Sequence, residues 1–275
     1  MAGGPTTPDL IAAAAQAGAV GFVAAGYKTA QAMRGDIDAV TAMTSEPCGV
    51  NVFVPGAPAD PDGVARYLDS IAADAAALGT EPGPASWDDD DWHAKIADLL
   101  ARPVPIVSFT FGCPEPAIVS AFQAAGSSVW VTVTDPAEAA AAVSAGADCL
   151  CVQGAEAGAH RGTFTNAPGG TAGIVELIAA IRAVTSVALV AAGGIMDAGR
   201  VTAALAAGAT AVQVRDRIPA LPRKRRAPGV QGGARGSAVR RYCGHPRVQR
   251  LPGPGRGEQV LARPSGRASR LSGDQ

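Results

Sequence analysis

Long apolar runs, paired cysteines and a basic leader are all missing from this 275-residue chain. No stretch approaches the roughly 18 uninterrupted apolar residues of a membrane-spanning helix. Met1-Ala2-Gly3-Gly4-Pro5 lacks the basic n-region of a secretory signal, so a cytoplasmic protein is expected. The five cysteines are odd in number and contain no C-x-x-C pair, which excludes a disulfide framework and fits reduced thiols. Cys149 and Cys151 stand two apart and would share one face of a strand as small core residues. Aromatic residues are scarce as well, at 4%.

What is present divides sharply. The formal net charge of −1 is a cancellation: residues 1–214 carry 8 Lys+Arg against 21 Asp+Glu, whereas 215–275 carry 15 against 3. The first part is Ala/Gly/Val-rich, like an α/β domain. The second is Arg/Gly/Pro-rich, has no apolar run long enough for a core element, and is expected to be a disordered tail.

Within 1–214 one unit recurs, a short Val/Ile/Phe-rich run followed by an amphipathic stretch. The runs are Gly18–Ala25, Gly49–Val54, Pro105–Phe111, Ser128–Thr134, Asp148–Gln153, Val187–Ala192 and Ala209–Val214. Their continuous apolar character predicts parallel strands covered on both faces. Helices are predicted near Pro8–Ala17, Thr29–Met43, Pro61–Leu78, Asp89–Leu100, Pro116–Ala124, Pro136–Ala145, Thr171–Val184 and Asp197–Ala207, starting at Pro, Asp or Thr. Seven strands and eight helices, beginning on a helix and ending on a strand, are what an α/β, TIM (β/α)8 barrel leaves when its first strand and last helix are missing and one helix is inserted.

Chemistry in such a barrel belongs at the C-terminal ends of the strands. After the fifth run comes Gln153-Gly154-Ala155-Glu156-Ala157-Gly158-Ala159-His160-Arg161-Gly162. Its glycines let backbone N–H groups approach a ligand, and an imidazole can take a proton near neutral pH. After the sixth run, Ala192-Gly193-Gly194-Ile195-Met196-Asp197 makes a turn into a helix, a place for an anion.

Five blocks in order then resemble the nitronate monooxygenase family, formerly the 2-nitropropane dioxygenases. They are Met1–Pro8, Gly49–Pro55, Val107–Gly112, the QGAEAGAHRG loop, and AAGGI with the following AALAAGATAVQV. The resemblance implies a TIM-barrel flavoprotein that binds FMN noncovalently and oxidises alkyl nitronates with dioxygen to a carbonyl compound and nitrite. It implies FMN contacts from Met1, Ala2, Gly3, Asn51, Gln153 and Gly158, a phosphate site at Gly193 and Gly194, and an active-site His160. It also implies FMN binding at Gln213 and Val214, the start of the family's Gln-x-Gly-Thr segment, whose Gly-Thr is here replaced by Arg215-Asp216. The family loop reads EAGGH, so Ala159 is a departure. No metal, membrane or specific nucleic-acid partner is implied, and the oligomeric state is left open. An FMN-dependent enoyl-acyl carrier protein reductase type II shares the barrel and a similar histidine loop, and a nonenzymatic remnant is the other alternative.

The break at Val214/Arg215 coincides with the charge seam and reads as a change of frame. Val214–Leu221 can be encoded GTC CGG GAC CGC ATT CCT GCG CTG; deleting one C yields Val-Gly-Thr-Ala-Phe-Leu-Arg, which restores the Gly-Thr. The competing reading takes Arg223-Lys224-Arg225-Arg226 as a polyanion-binding patch, but Tyr242 is the tail's only aromatic residue. Asp88–Asp91 reads as a solvated helix start rather than a metal cluster, with Trp87, Trp92 and His93 packing that helix. Lys28, after the first run, is within reach of a strand-end ligand.

Overall fold

The computed structural model describes residues 2–3, 6–165 and 170–214, and the backbone of Val248–Pro252 and Glu258–Ala262. Seven parallel strands, β1 (Gly21–Ala24), β2 (Cys48–Phe53), β3 (Ile106–Thr110), β4 (Ser128–Val133), β5 (Cys149–Gln153), β6 (Ala188–Ala192) and β7 (Ala211–Gln213), pair in chain order. The helices are α1 (Pro8–Gln16), α2 (Ala30–Met43), α3 (Pro61–Ala77), α4 (Trp92–Ala101), α5 (Pro116–Ala124), α6 (Pro136–Ser144), α7 (Ile174–Arg182) and α8 (Ala198–Ala206). This is a curled, partial (β/α)8 barrel. Among the described residues no strand precedes α1, no helix follows β7, and α3 with α4 supplies the inserted helix between β2 and β3. Most of 215–275 lies outside the described residues; within it the backbone of β8 (Val248–Pro252) pairs antiparallel with β9 (Glu258–Ala262).

Local chemistry explains the helix starts. The side chains of Thr7, Thr29, Asp60, Asp135 and Asp197 each accept a backbone N–H of the following first turn, and α1, α3, α5 and α6 carry proline there. The edge strands β1 and β7 are shorter than the runs that predicted them. Helix α3 buries none of its residues.

The period-2 alternation of the strands sorts side chains into two layers. Val50, Val52, Val107, Phe109, Val131, Val133, Leu150, Val152 and Leu189 point outward under the helices. Ile106, Trp130, Cys149, Cys151 and Val190 pack inside the curl against Phe22. Burial pushes the Cys151 thiol up to about 12 and the Cys149 thiol up as well, as expected of inert core residues. The register stacks the same inward positions in rows, with Cys149 beside Trp130 and Ala188, then Cys151 beside Thr132 and Val190. One row higher, at the C-terminal edge, come Gln153, Ala192 and Gln213.

Helices α2 and α4 are tied by Arg34, which donates to Asp98 Oδ2 (2.8 Å) and to the Arg102 carbonyl (2.9 Å). Partial burial pushes the Asp98 carboxyl up, but Arg34 and Arg102 outweigh this and hold it below the ordinary 3.8. Asp98→Asn is therefore expected to cost about 2 kcal/mol at neutral pH. Because the folded value is depressed, the carboxylate's contribution is complete above the unfolded pKa of about 3.9 and is lost as pH falls through the folded value. Urea unfolding of both proteins at neutral pH and at about pH 3 checks it; an equal penalty at both would be inconsistent with it.

Candidate functional site

A cavity of about 320 Å³ opens at the C-terminal ends of the strands. Its far side is a polar ladder. Asn51 Nδ2 donates to Ser108 Oγ (3.2 Å), the Ser108 carbonyl (3.3 Å) and Thr110 Oγ1 (2.9 Å), and Thr110 Oγ1 lies 3.1 Å from Thr132 Oγ1. A carbonyl only accepts, so the Ser108 contact orients the amide and leaves Asn51 Oδ1 as the acceptor for a ligand donor.

The second side is aromatic and forms a chain of edge-on rings: Tyr27 to Phe53 (5.5 Å), Phe53 to Phe111 (4.8 Å), Phe111 to His160 (6.2 Å). His160 sits on an exposed but braced loop. Gln153 Nε2 donates to the His160 carbonyl (3.1 Å) and Gln153 Oε1 accepts Gly162 N–H (2.7 Å). Arg161 donates to the carbonyls of Gln153 (3.2 Å), Gly154 (2.6 Å) and Gly170 (3.1 Å). The Gln153 side chain thus braces the loop that carries His160.

The third side is the glycine turn after β6. Gly193 (φ 101°) and Gly194 (φ 63°) have left-handed backbone. A Cβ on Gly193 would lie 3.1 Å from Ala157 N and 3.2 Å from the Gly154 carbonyl, and one on Gly194 would lie 2.6 Å from Glu156 Cβ. Glu156 is held in turn by the Ile174 N–H at the start of α7 (3.0 Å). The turn is consequently pressed against the histidine loop, which only glycine permits.

Ala2, Asn51, Gln153, His160, Gly193, Gly194 and Gln213 of the expected set line the cavity. Gly3 and Gly158 are exposed and do not line it; Val214 is 36% exposed, just beyond the β7 edge. Met1 lies outside the described residues. Lining residues outside the expected site set include Phe22, Tyr27, Phe53, Ser108, Thr110, Phe111 and Thr132, of which Phe53, Ser108, Thr110 and Phe111 lie within the blocks Gly49–Pro55 and Val107–Gly112. Most of them sit at alternate positions of strands already recognised, so strand phase was the available signal. Lys28, rather than reaching the cavity, pairs with Asp36 on α2.

The Asp88–Asp91 run also departs from expectation. Asp90 and Asp91 have left-handed backbone, which turns their carboxylates back from α4, and Asp91 makes no side-chain cap to that helix. Asp90 Oδ1 instead accepts Tyr27 N–H (2.7 Å) and Asp91 Oδ2 accepts Ala30 N–H (2.6 Å). Trp92 is buried against Phe109 (5.9 Å), whereas Trp87 is exposed and donates to the Gly56 carbonyl.

The donor set suits a flavin mononucleotide: side-chain amides and hydroxyls for a planar heterocycle, an aromatic wall, and a glycine turn lining the cavity. Among the described residues no group of three His, Cys, Asp or Glu could hold a metal ion. No described helix is long and apolar enough to cross a membrane.

Fold and cavity define a (β/α)-barrel protein with its ligand site at the strand ends. The chain belongs to the nitronate monooxygenase family, whose model matches residues 1–218. It is similar to a probable nitronate monooxygenase of Staphylococcus aureus (strain Newman), 35% identical over 215 residues, covering 77% of this chain and 61% of that protein. Among solved structures it is similar to nitroalkane oxidase from Streptomyces ansochromogenes, with TM-score 0.72, 43% identity and coverage of 78% of this chain and 62% of that one. FabK from Thermotoga maritima, as its M276A mutant, shares the fold at TM-score 0.63 and 26% identity, covering 83% and 62%. The chain thus spans about three fifths of the length of the relatives it matches.

Proposed function

We propose that the chain is an FMN-dependent oxidoreductase that oxidises alkyl nitronates with dioxygen to a carbonyl compound and nitrite. The observation that carries this reading is a cavity lined by both His160 and the Gly193–Gly194 turn, in a chain of this family. Bound FMN supplies the redox chemistry. The chain's own residues bind and orient. Gly193 and Gly194 present backbone N–H groups to the phosphate, since Asp197 already caps α8. Asn51 Oδ1, fixed by the ladder, accepts a ring N–H. His160 steadies the anionic nitronate and can hold a proton at the mouth. The free thiols of Cys48, Cys113, Cys149 and Cys151 support a cytoplasmic setting.

The test is nitrite release and oxygen uptake by the FMN-loaded full chain with ethylnitronate and propionate 3-nitronate. FMN-loaded protein that releases no nitrite but consumes NAD(P)H would move it to the reductase alternative, and protein that takes up no FMN would make it a remnant. The domain division at 214/215 belongs to the same proposal: the readable unit is 1–214, and 215–275 is a tail in a shifted frame. The family match, which stops at residue 218, supports this. Sequencing the gene across the codons for Val214 and Arg215 decides it, because the same uninterrupted frame in close strains would end the idea.

A further inference from the structure

Four non-glycine residues among those described have left-handed backbone: Tyr27 (φ 62°), Asp90 (56°), Asp91 (55°) and Phe111 (71°). Tyr27 and Phe111 line the cavity, and Asp90 and Asp91 bond the loop that carries Tyr27. Such backbone is unfavourable for L residues and persists only where the surroundings over-determine it. Here they do. Asp90 Oδ2 lies 2.8 Å from the ammonium of Lys95, whose side chain is 0% exposed. A fully buried ammonium needs a carboxylate beside it, so neither partner can leave without the other. The same carboxylate holds Tyr27 N–H. The segment that supplies the pair is the inserted one, outside the simple strand–helix alternation.

The wall so held is apolar. Tyr27, Phe53 and Phe111 line the cavity as edge-on aromatic rings, and no Lys or Arg is among the described residues that line it. Among the described residues the cations nearest the cavity are engaged: Lys28 with Asp36, Arg161 with three carbonyls, and Arg200, beside the Gly194 turn, with Glu156 (3.7 Å).

We propose that the Asp90–Lys95 pair positions Tyr27 as a specificity-determining wall, and that the wall selects nitronates whose non-reacting end is a neutral alkyl chain over those ending in a carboxylate. The substrate class rests on the functional reading above; the positioning role does not. Across ethyl- to hexylnitronate, kcat/KM of the FMN-loaded full chain rises about tenfold or more as apolar area is buried, and propionate 3-nitronate falls below propylnitronate. Tyr27→Phe keeps that chain-length dependence and Tyr27→Ala flattens it. The double variant Asp90→Ala/Lys95→Met removes the carboxylate together with the ammonium, so no unpaired charge is left buried. It raises KM for hexylnitronate about fivefold with kcat changed less than about twofold. In the same variant, amide hydrogen exchange at Tyr27–Ala30 accelerates about tenfold or more relative to the parent.

Unchanged exchange in the double variant overturns the positioning role. A preference for propionate 3-nitronate, or a chain-length dependence that survives Tyr27→Ala, overturns the substrate class. If no nitronate is oxidised at all, the functional reading fails, while exchange still judges the Asp90–Lys95 pair.

Discussion

His160→Gln is expected to lower kcat/KM for nitronate oxidation by about two to four orders of magnitude while FMN affinity changes less than about threefold. The imidazole lines the cavity edge-on to Phe111, whereas the glycine turn packs against Gly154, Glu156 and Ala157. The loop would survive the change, because Gln153 grips the His160 backbone carbonyl and Arg161 grips three others. Glutamine keeps a hydrogen-bonding side chain of similar reach and removes the capacity to take a proton at neutral pH. Steady-state oxygen uptake and flavin titration of the apoprotein separate the two quantities. A loss of less than tenfold would show that His160 only lines the cavity.

Gly194→Ala is expected to destroy FMN retention, with an affinity loss of about a hundredfold, and to cost about 1–3 kcal/mol of stability. Two effects act together. The backbone is left-handed at φ 63°, and the new methyl would lie 2.6 Å from Glu156 Cβ, pushing the glycine turn away from the histidine loop. Gly35→Ala is the control. Gly35 lies inside α2 with nothing within 4 Å of a new methyl, so the same chemical change should stabilise by about 0.5–1 kcal/mol and leave flavin binding alone. Thermal unfolding and flavin titration of both variants give the comparison. Two variants of like behaviour would refute the assignment of Gly194 to the site.

Much of this architecture is visible in composition and spacing because parallel strands buried on both faces must be continuously apolar. All seven runs became strands, and all eight amphipathic stretches became helices, with the ends shifted by up to three residues, mostly inward. Loop motifs rich in glycine were equally legible, since Gly193-Gly194 and the loop ending in His160 depart from the surrounding pattern. Thr110 and Thr132 were not, because a hydroxyl within a Val-rich strand carries no local sign of facing inward until the register is known. Tyr27 and the acidic run were harder still. Their bond spans 63 residues, and a row of aspartates before a helix has an adequate local explanation in the helix dipole.

By itself, then, the sequence determined the strand and helix order, the barrel class, the histidine and glycine loops and the seam after Val214, all set by periodicity and local backbone preference. Tertiary structure alone decided that Gln153 braces the loop that carries His160, and that Asp90 and buried Lys95 reach across to hold Tyr27. Those outcomes depend on which distant groups compete for the same hydrogen bond, and that competition exists only once the chain has folded.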